Sequence, residues 1–128
     1  MESREVSTGD IFYAFNADMY TPKLKYHLCL GVNSYFIINT KSHDYDLKIT
    51  PSDCSILTHE CFIKCNQLFT IPIENFEIIK VEQLSSAAIK NLIEKVKWSP
   101  TLTGIQIKEI ISELEACLQK RKSEAEVL

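Results

Sequence analysis

His27-Leu-Cys-Leu-Gly-Val32 and Tyr35-Phe-Ile-Ile-Asn-Thr40 decide the fold of this chain. Both are apolar runs rich in residues that suit a pleated surface, and Asn33-Ser34 between them supplies turn-forming side chains. They read as a β-hairpin. The same punctuation extends in both directions. Upstream, Asp10-Ile-Phe-Tyr-Ala-Phe15 follows a Thr8-Gly9 break. Downstream, Leu47–Ile49 is stopped by Pro51, and Cys61-Phe-Ile-Lys-Cys65 and Leu68-Phe-Thr-Ile71 flank Asn66-Gln67. Phe76-Glu-Ile-Ile-Lys-Val81 closes the series. Six or seven short strands with brief connections predict a small closed or half-closed barrel, which removes strand edges without helices between the strands.

The period changes near Gln83. Ile89, Leu92, Ile93 and Val96 stand at i, i+3, i+4 and i+7, one apolar stripe of a helix. Ser85 or Ser86 can cap its start, and Ser99-Pro100 ends it, because proline cannot continue the ladder. A second stripe runs through Ile107, Ile110, Ile111, Leu114 and Leu118, with Thr103 as N-cap and Lys120-Arg121-Lys122 in the last turn. Helices are expected over Leu84–Lys97 and Ile105–Lys120, with a frayed tail at Ser123–Leu128. The organisation is one domain over residues 1–128, strands at about 8–83 and helices at about 84–122. The second stripe exceeds what so small a barrel needs, so a homodimer is expected.

Composition bounds the function. At 128 residues, 45% apolar and 24% charged, the chain is neither disordered nor collagenous. No apolar run approaches the roughly 18–20 residues of a membrane span, so no membrane partner is expected. The polar start MESREVSTGD has no signal-peptide core, and a cytoplasmic protein is expected. A net charge of −3 argues against a surface that coats duplex nucleic acid, whereas a local site for a short single strand needs only a few cations. The five cysteines read as reduced, mostly buried thiols. His59-x-Cys61-x-x-x-Cys65 has potential zinc ligands. On a strand, however, Cys61 and Cys65 stand more than a dozen ångströms apart, too far for one metal. No metal and no cofactor are expected.

The order of segments in the first 97 residues resembles the MazF/PemK-like toxin family. Gly9-Asp10-Ile11 matches the opening Gly-Asp-Ile strand of those proteins. Lys23-Leu-Lys25-Tyr-His27-Leu-Cys-Leu30 corresponds to their basic residue before an apolar strand, commonly an Arg-Pro pair, with Lys25 the nearest cation here. Phe36-Ile-Ile-Asn-Thr40 resembles the strand that ends in an active-site threonine. Phe62 to Pro72 looks like the late hairpin, and Leu84-Ser-Ser to Leu92 like the helix that closes the barrel. The helix at Gly104–Lys122 exceeds the compact family pattern.

The resemblance implies a mainly β fold with C-terminal helices, built on a small SH3-like β-barrel and often dimeric. It also implies a toxin-type endoribonuclease that cleaves single-stranded RNA without a metal and is neutralised by an antitoxin protein. Such cleavage activates the ribose 2′-OH, stabilises charge on the phosphate and protonates the leaving oxygen. Lys25 would stabilise phosphate charge, Thr40 would donate to a phosphate oxygen, and His27 or His43 would move a proton. Lys23 and Lys41 would contact RNA.

Each residue also has a plainer reading. Thr40 ends a strand, Lys25 is a solvated cation, His27 is a hydrogen-bonded structural residue and His43 sits in a solvated turn. The rival function is the same barrel without catalysis, binding a protein or a nucleic acid through the Asn16–Leu24 loop. The two readings separate on whether Lys25 and Thr40 face one cleft.

Overall fold

A computed structural model describes residues 5–16 and 23–127. Seven strands form one antiparallel sheet: β1 (Asp10–Asn16), β2 (Leu24–Cys29), β3 (Ser34–Asn39), β4 (Asp46–Ile49), β5 (Cys61–Lys64), β6 (Phe69–Thr70) and β7 (Phe76–Gln83). A 3-10 turn at Ile73–Asn75 precedes β7, and two helices follow it, α1 (Ser86–Lys97) and α2 (Gly104–Val127). This is the mainly β class with C-terminal helices that the sequence implied. No described helix is long and apolar enough to cross a membrane.

The first strand of the hairpin lies three residues upstream of its expected place and the second strand one residue upstream. β2 begins at Leu24, and the reversal occupies Leu30 to Asn33, closed by the Leu30 N–H donating to the Ser34 carbonyl at 2.8 Å. Gly31 at φ 135° and Asn33 at φ 57° take the positive-φ positions, which suit glycine and asparagine. Ser34 therefore belongs to β3, and Thr40 lies one residue past it.

The strand order is β4-β5-β3-β2-β1-β7, with β6 pairing the start of β3. Among the described residues no ladder joins β4 to β7, so the sheet is not closed by strand pairing. Its two ends are linked instead through loops. The Ser85 N–H, just past β7, donates to the Asp53 carbonyl at 2.7 Å, and the Cys54 thiol donates to the Glu82 carbonyl at 3.8 Å. A bulge at Ile79, between the Tyr13–Lys80 and Ala14–Ile78 pairs, bends β7 against β1.

Alternation along the strands divides the side chains between two faces. Ile11, Leu28, Phe36, Ile38 and Ile63 lie on one face, which packs against Leu84, Ile89, Leu92 and Val96 around α1 and against Ile110 and Leu114 of α2. Phe12, Ala14, Cys29, Tyr35 and Phe76 form a smaller cluster on the other, with Ile71, Ile73 and Ile78 against it.

The helices start where the caps were read. The Ser85 hydroxyl accepts from the Ala88 N–H at 3.1 Å, and Thr103 and Gln106 form a reciprocal capping box at 3.1 and 3.0 Å. α2 runs on through residues expected to fray. No proline or glycine interrupts it, and Arg121 ties its end to the sheet by donating to the Leu84 carbonyl at 2.6 Å. The apolar stripe of α2 is not left over as a second surface. Ile110 and Leu114 are buried in the chain's own core, and Ile107, Ile111 and Leu118 pack beside them. The surface argument for a homodimer through α2 therefore falls.

Candidate functional site

The site is on the face away from the helices. Lys25, His27 and Cys29 share that face of β2, opposite Ala14 and Phe12 of β1 and Ile37 and Tyr35 of β3. A cavity of about 200 Å³ opens there, lined by Lys23, Lys25, His27, Tyr35, Ile37, Phe69, Ile71 and Phe76. Its walls are aliphatic and aromatic, and its two cations come from neighbouring positions of one chain segment.

His27 is held in a cluster of rings. It stacks on Phe12 with centroids 5.0 Å apart and planes 16° from parallel, and meets the Phe76 ring at 4.9 Å. Phe76 in turn contacts the Phe12 and Tyr35 rings edge-on at 5.2 and 5.1 Å. His27 is 6% exposed, and its Nδ1 has no hydrogen-bond partner in the protein. Burial pushes the imidazole down to about 4, against a smaller opposing pull from the Lys25 and Phe12 backbone, while the Lys25 charge adds to the lowering. At neutral pH the ring is uncharged. It offers a polar edge, and its low proton affinity suits it poorly to accept a proton at pH 7. The Tyr35 phenol, pushed up to about 12 chiefly by burial, stays protonated as well.

The remaining candidates sit elsewhere. Thr40, Lys41 and His43 are exposed on the β3–β4 connection and do not line the cavity. Thr40 lies one residue past β3, in the bend that leads towards β4, and has no ladder partner on β2. The His43 N–H donates to the Asp46 carboxylate at 2.6 Å, a local turn contact. The structure thus brings together Lys23, Lys25 and His27 and leaves Thr40, Lys41 and His43 outside. Of the Asn16–Leu24 loop proposed for binding, residues 17–22 lie outside the described residues.

Sequence reasoning missed the walls. Tyr35 and Ile37 follow from His27 once the hairpin register is known, since Ile37 pairs His27 directly. Phe69, Ile71 and Phe76 come from distant positions, and no local pattern announces that they meet there.

The thiols carry no evident chemistry. All five cysteines are free, four of them buried, and burial pushes Cys29 up to about 11 and Cys65 up to about 12. Such thiols remain protonated and weakly nucleophilic. Among the described residues no group of three histidine, cysteine or acidic side chains stands placed to hold a metal ion. A larger groove of about 640 Å³ runs between the β2–β3 turn and α2, but it mixes Lys108 with Glu109 and Glu113 and contains none of the candidate residues. A comparison with protein-family models and one with curated proteins each return no match for this chain.

Proposed function

We propose that this protein is a binding module for single-stranded nucleic acid, RNA in the first instance, and that it holds the strand without cutting it. The observation that carries the reading is the cavity that joins Lys23 and Lys25 to the aromatic wall of His27, Tyr35, Phe69 and Phe76. Binding a single strand needs cations for the phosphates and apolar surface for a base, and here Lys23 and Lys25 stand beside the half-buried Phe69 and Ile37. The net charge of −3 fits a local contact rather than a long basic track. Five free thiols suit a reducing compartment such as the cytoplasm.

RNA is taken as the ligand in this reading because the order of sequence segments resembles that of the MazF/PemK-like toxins. Metal-independent endoribonuclease activity, held in check by an antitoxin, is the second reading. It is favoured by the pairing of Tyr26 with Ile38, which leaves Lys25 and Thr40 at the same end of the β2–β3 ladder. Against it stand the position of Thr40 outside the cavity that Lys25 lines and the neutral His27.

One assay tests both. Purified protein is mixed with end-labelled single-stranded RNA in excess chelator, and anisotropy and the integrity of the RNA are followed together. The proposal expects salt-dependent binding with intact RNA. Fragments with 2′,3′-cyclic phosphate ends would establish the nuclease instead, and an unchanged anisotropy at low salt would reject both.

A further inference from the structure

Trp98 is the chain's one tryptophan, and it stands 72% exposed just past the last residue of α1. Every described phenylalanine and tyrosine is buried or half-buried. A lone apolar side chain in water is ordinary on a protein surface. This one is accompanied by charge. The Lys97 ammonium lies 5.9 Å from the centroid of its ring, within cation–π reach. α1 carries Lys90, Lys95 and Lys97 against Glu94 alone, in a chain whose net charge is −3. Among the described residues neither Lys95 nor Lys97 forms a salt bridge. The helix dipole favours lysines in the last turn, which accounts for the charge but not for the indole beside it.

A second ring is built against the same turn. Tyr45 takes φ 62°, a left-handed conformation that is strained for a bulky residue. Its hydroxyl donates to the Lys95 carbonyl at 2.9 Å, and the Lys95 ammonium lies 4.6 Å over its ring. These contacts fasten the β3–β4 connection, which carries the exposed Lys41, to the last turn of α1. Unpaired cations interleaved with aromatic rings are the composition of a surface that holds a single strand.

Resting on the nucleic-acid reading, we infer that this end of α1 is a second contact for the bound strand: Trp98 stacks on one unpaired base, and Lys95 and Lys97 take the adjoining phosphates.

The distances let one strand reach both places. Tyr26, Ile38, Ile63 and Leu47 are partners in successive ladders, so β4 stands three strand spacings, about 15 Å, from β2. β4 is an edge of the sheet, and α1 packs against it. About ten stacked nucleotides extend roughly 34 Å, enough to lead from Lys25 around that edge to Trp98.

The test uses the single indole of the full chain. Trp98 emission is followed as an unlabelled single-stranded RNA of about ten nucleotides is added, and anisotropy is followed in a parallel titration with the labelled oligomer. The emission is expected to be quenched along the same binding curve as the anisotropy. Trp98→Ala is expected to bind about tenfold more weakly, the loss of one base stack, and Trp98→Phe to keep most of the affinity. Lys97→Ala should lower the slope of log affinity against log salt by about one. Trp98 is exposed, so its variants should keep the native circular dichroism spectrum. Unchanged emission while the anisotropy rises, or native affinity in Trp98→Ala, would overturn this contact and leave the cavity reading standing. Emission that ignores the oligomer and shifts to the blue with vesicles of anionic phospholipid would overturn it in favour of a membrane surface. Binding of no oligomer would remove the module and this contact together.

Discussion

On the helix-covered face of the sheet, Ile11, Leu28, Phe36, Ile38 and Ile63 meet Leu84, Ile89, Leu92, Val96 and Leu114 in one continuous apolar cluster. On the opposite face the same strands present Phe12, Ala14, His27 and Tyr35, covered among the described residues by Val6 and the β6–β7 segment and interrupted by a cavity flanked by two lysines. Neighbouring residues of β2 belong to different environments: Leu28 is fully buried under the helices, while His27 lines the cavity. The strand period of two is what allows one backbone to build a sealed core and a cavity-bearing face at once. The difference between the faces is therefore one of cover. Two capped helices seal the first, and a short segment with a 3-10 turn leaves the second partly open.

The comparison can be broken most forcefully on the sealed face. Leu92→Ala and Leu114→Ala each delete a fully buried side chain where helices meet sheet, and each should lower stability by about 2–5 kcal/mol in denaturant unfolding. Phe69→Ala, on the open face, should cost less than half as much. Equal losses would mean that the two faces contribute alike.

Acid should weaken the open face next. Burial holds His27 near 4, below its ordinary 6.5, so between those values the unfolded chain binds a proton that the folded chain refuses. The contribution is fully present above pH 6.5, is lost as the pH falls to about 4, and amounts to on the order of 3 kcal/mol. Asp10 works the other way: burial raises its carboxyl, so its protonation favours the fold and limits the loss at the acid end. His27→Phe should flatten the profile between pH 6.5 and 4 in thermal melts, and an unchanged slope would assign it to other groups.

Gly9 links the sheet to α2. It holds φ 90°, and a Cβ there would stand 2.8 Å from the Cys117 sulfur. Gly9→Ala should cost about 1–3 kcal/mol from the strained backbone and this contact together, read as a lowered Tm. The smallest effects belong to the caps. Ser85→Ala and Thr103→Ala should each cost about 1 kcal/mol, and neither should alter nucleic-acid binding, because both lie under the sealed face rather than at the cavity.

Much of the sealed face was legible in the sequence. The stripes Ile89-Leu92-Val96 and Ile110-Leu114 point to the core, and Ser85 and Thr103 cap where capping chemistry places them, because these signals are local. The hairpin was legible in existence but not in register: Gly31 with Asn33, rather than Asn33-Ser34, makes the reversal, and that moves Thr40 beyond β3. The candidate site was half visible. Lys23, Lys25 and His27 stand close in the chain and share an environment, whereas Phe69, Ile71 and Phe76 complete it through pairings set by the whole sheet. Adjacency in sequence also suggested that Thr40 and His43 would join them, but both lie exposed on the β3–β4 connection, outside the cavity lining.

The most direct test compares Lys25→Ala with Thr40→Ala in a titration of labelled single-stranded RNA, with the RNA recovered afterwards and sized. Binding centred on the cavity predicts intact RNA throughout, affinity reduced about tenfold in Lys25→Ala together with a shallower salt dependence, and native affinity in Thr40→Ala. RNA cut by the native protein and spared by Thr40→Ala, or native affinity retained in Lys25→Ala, would contradict the account.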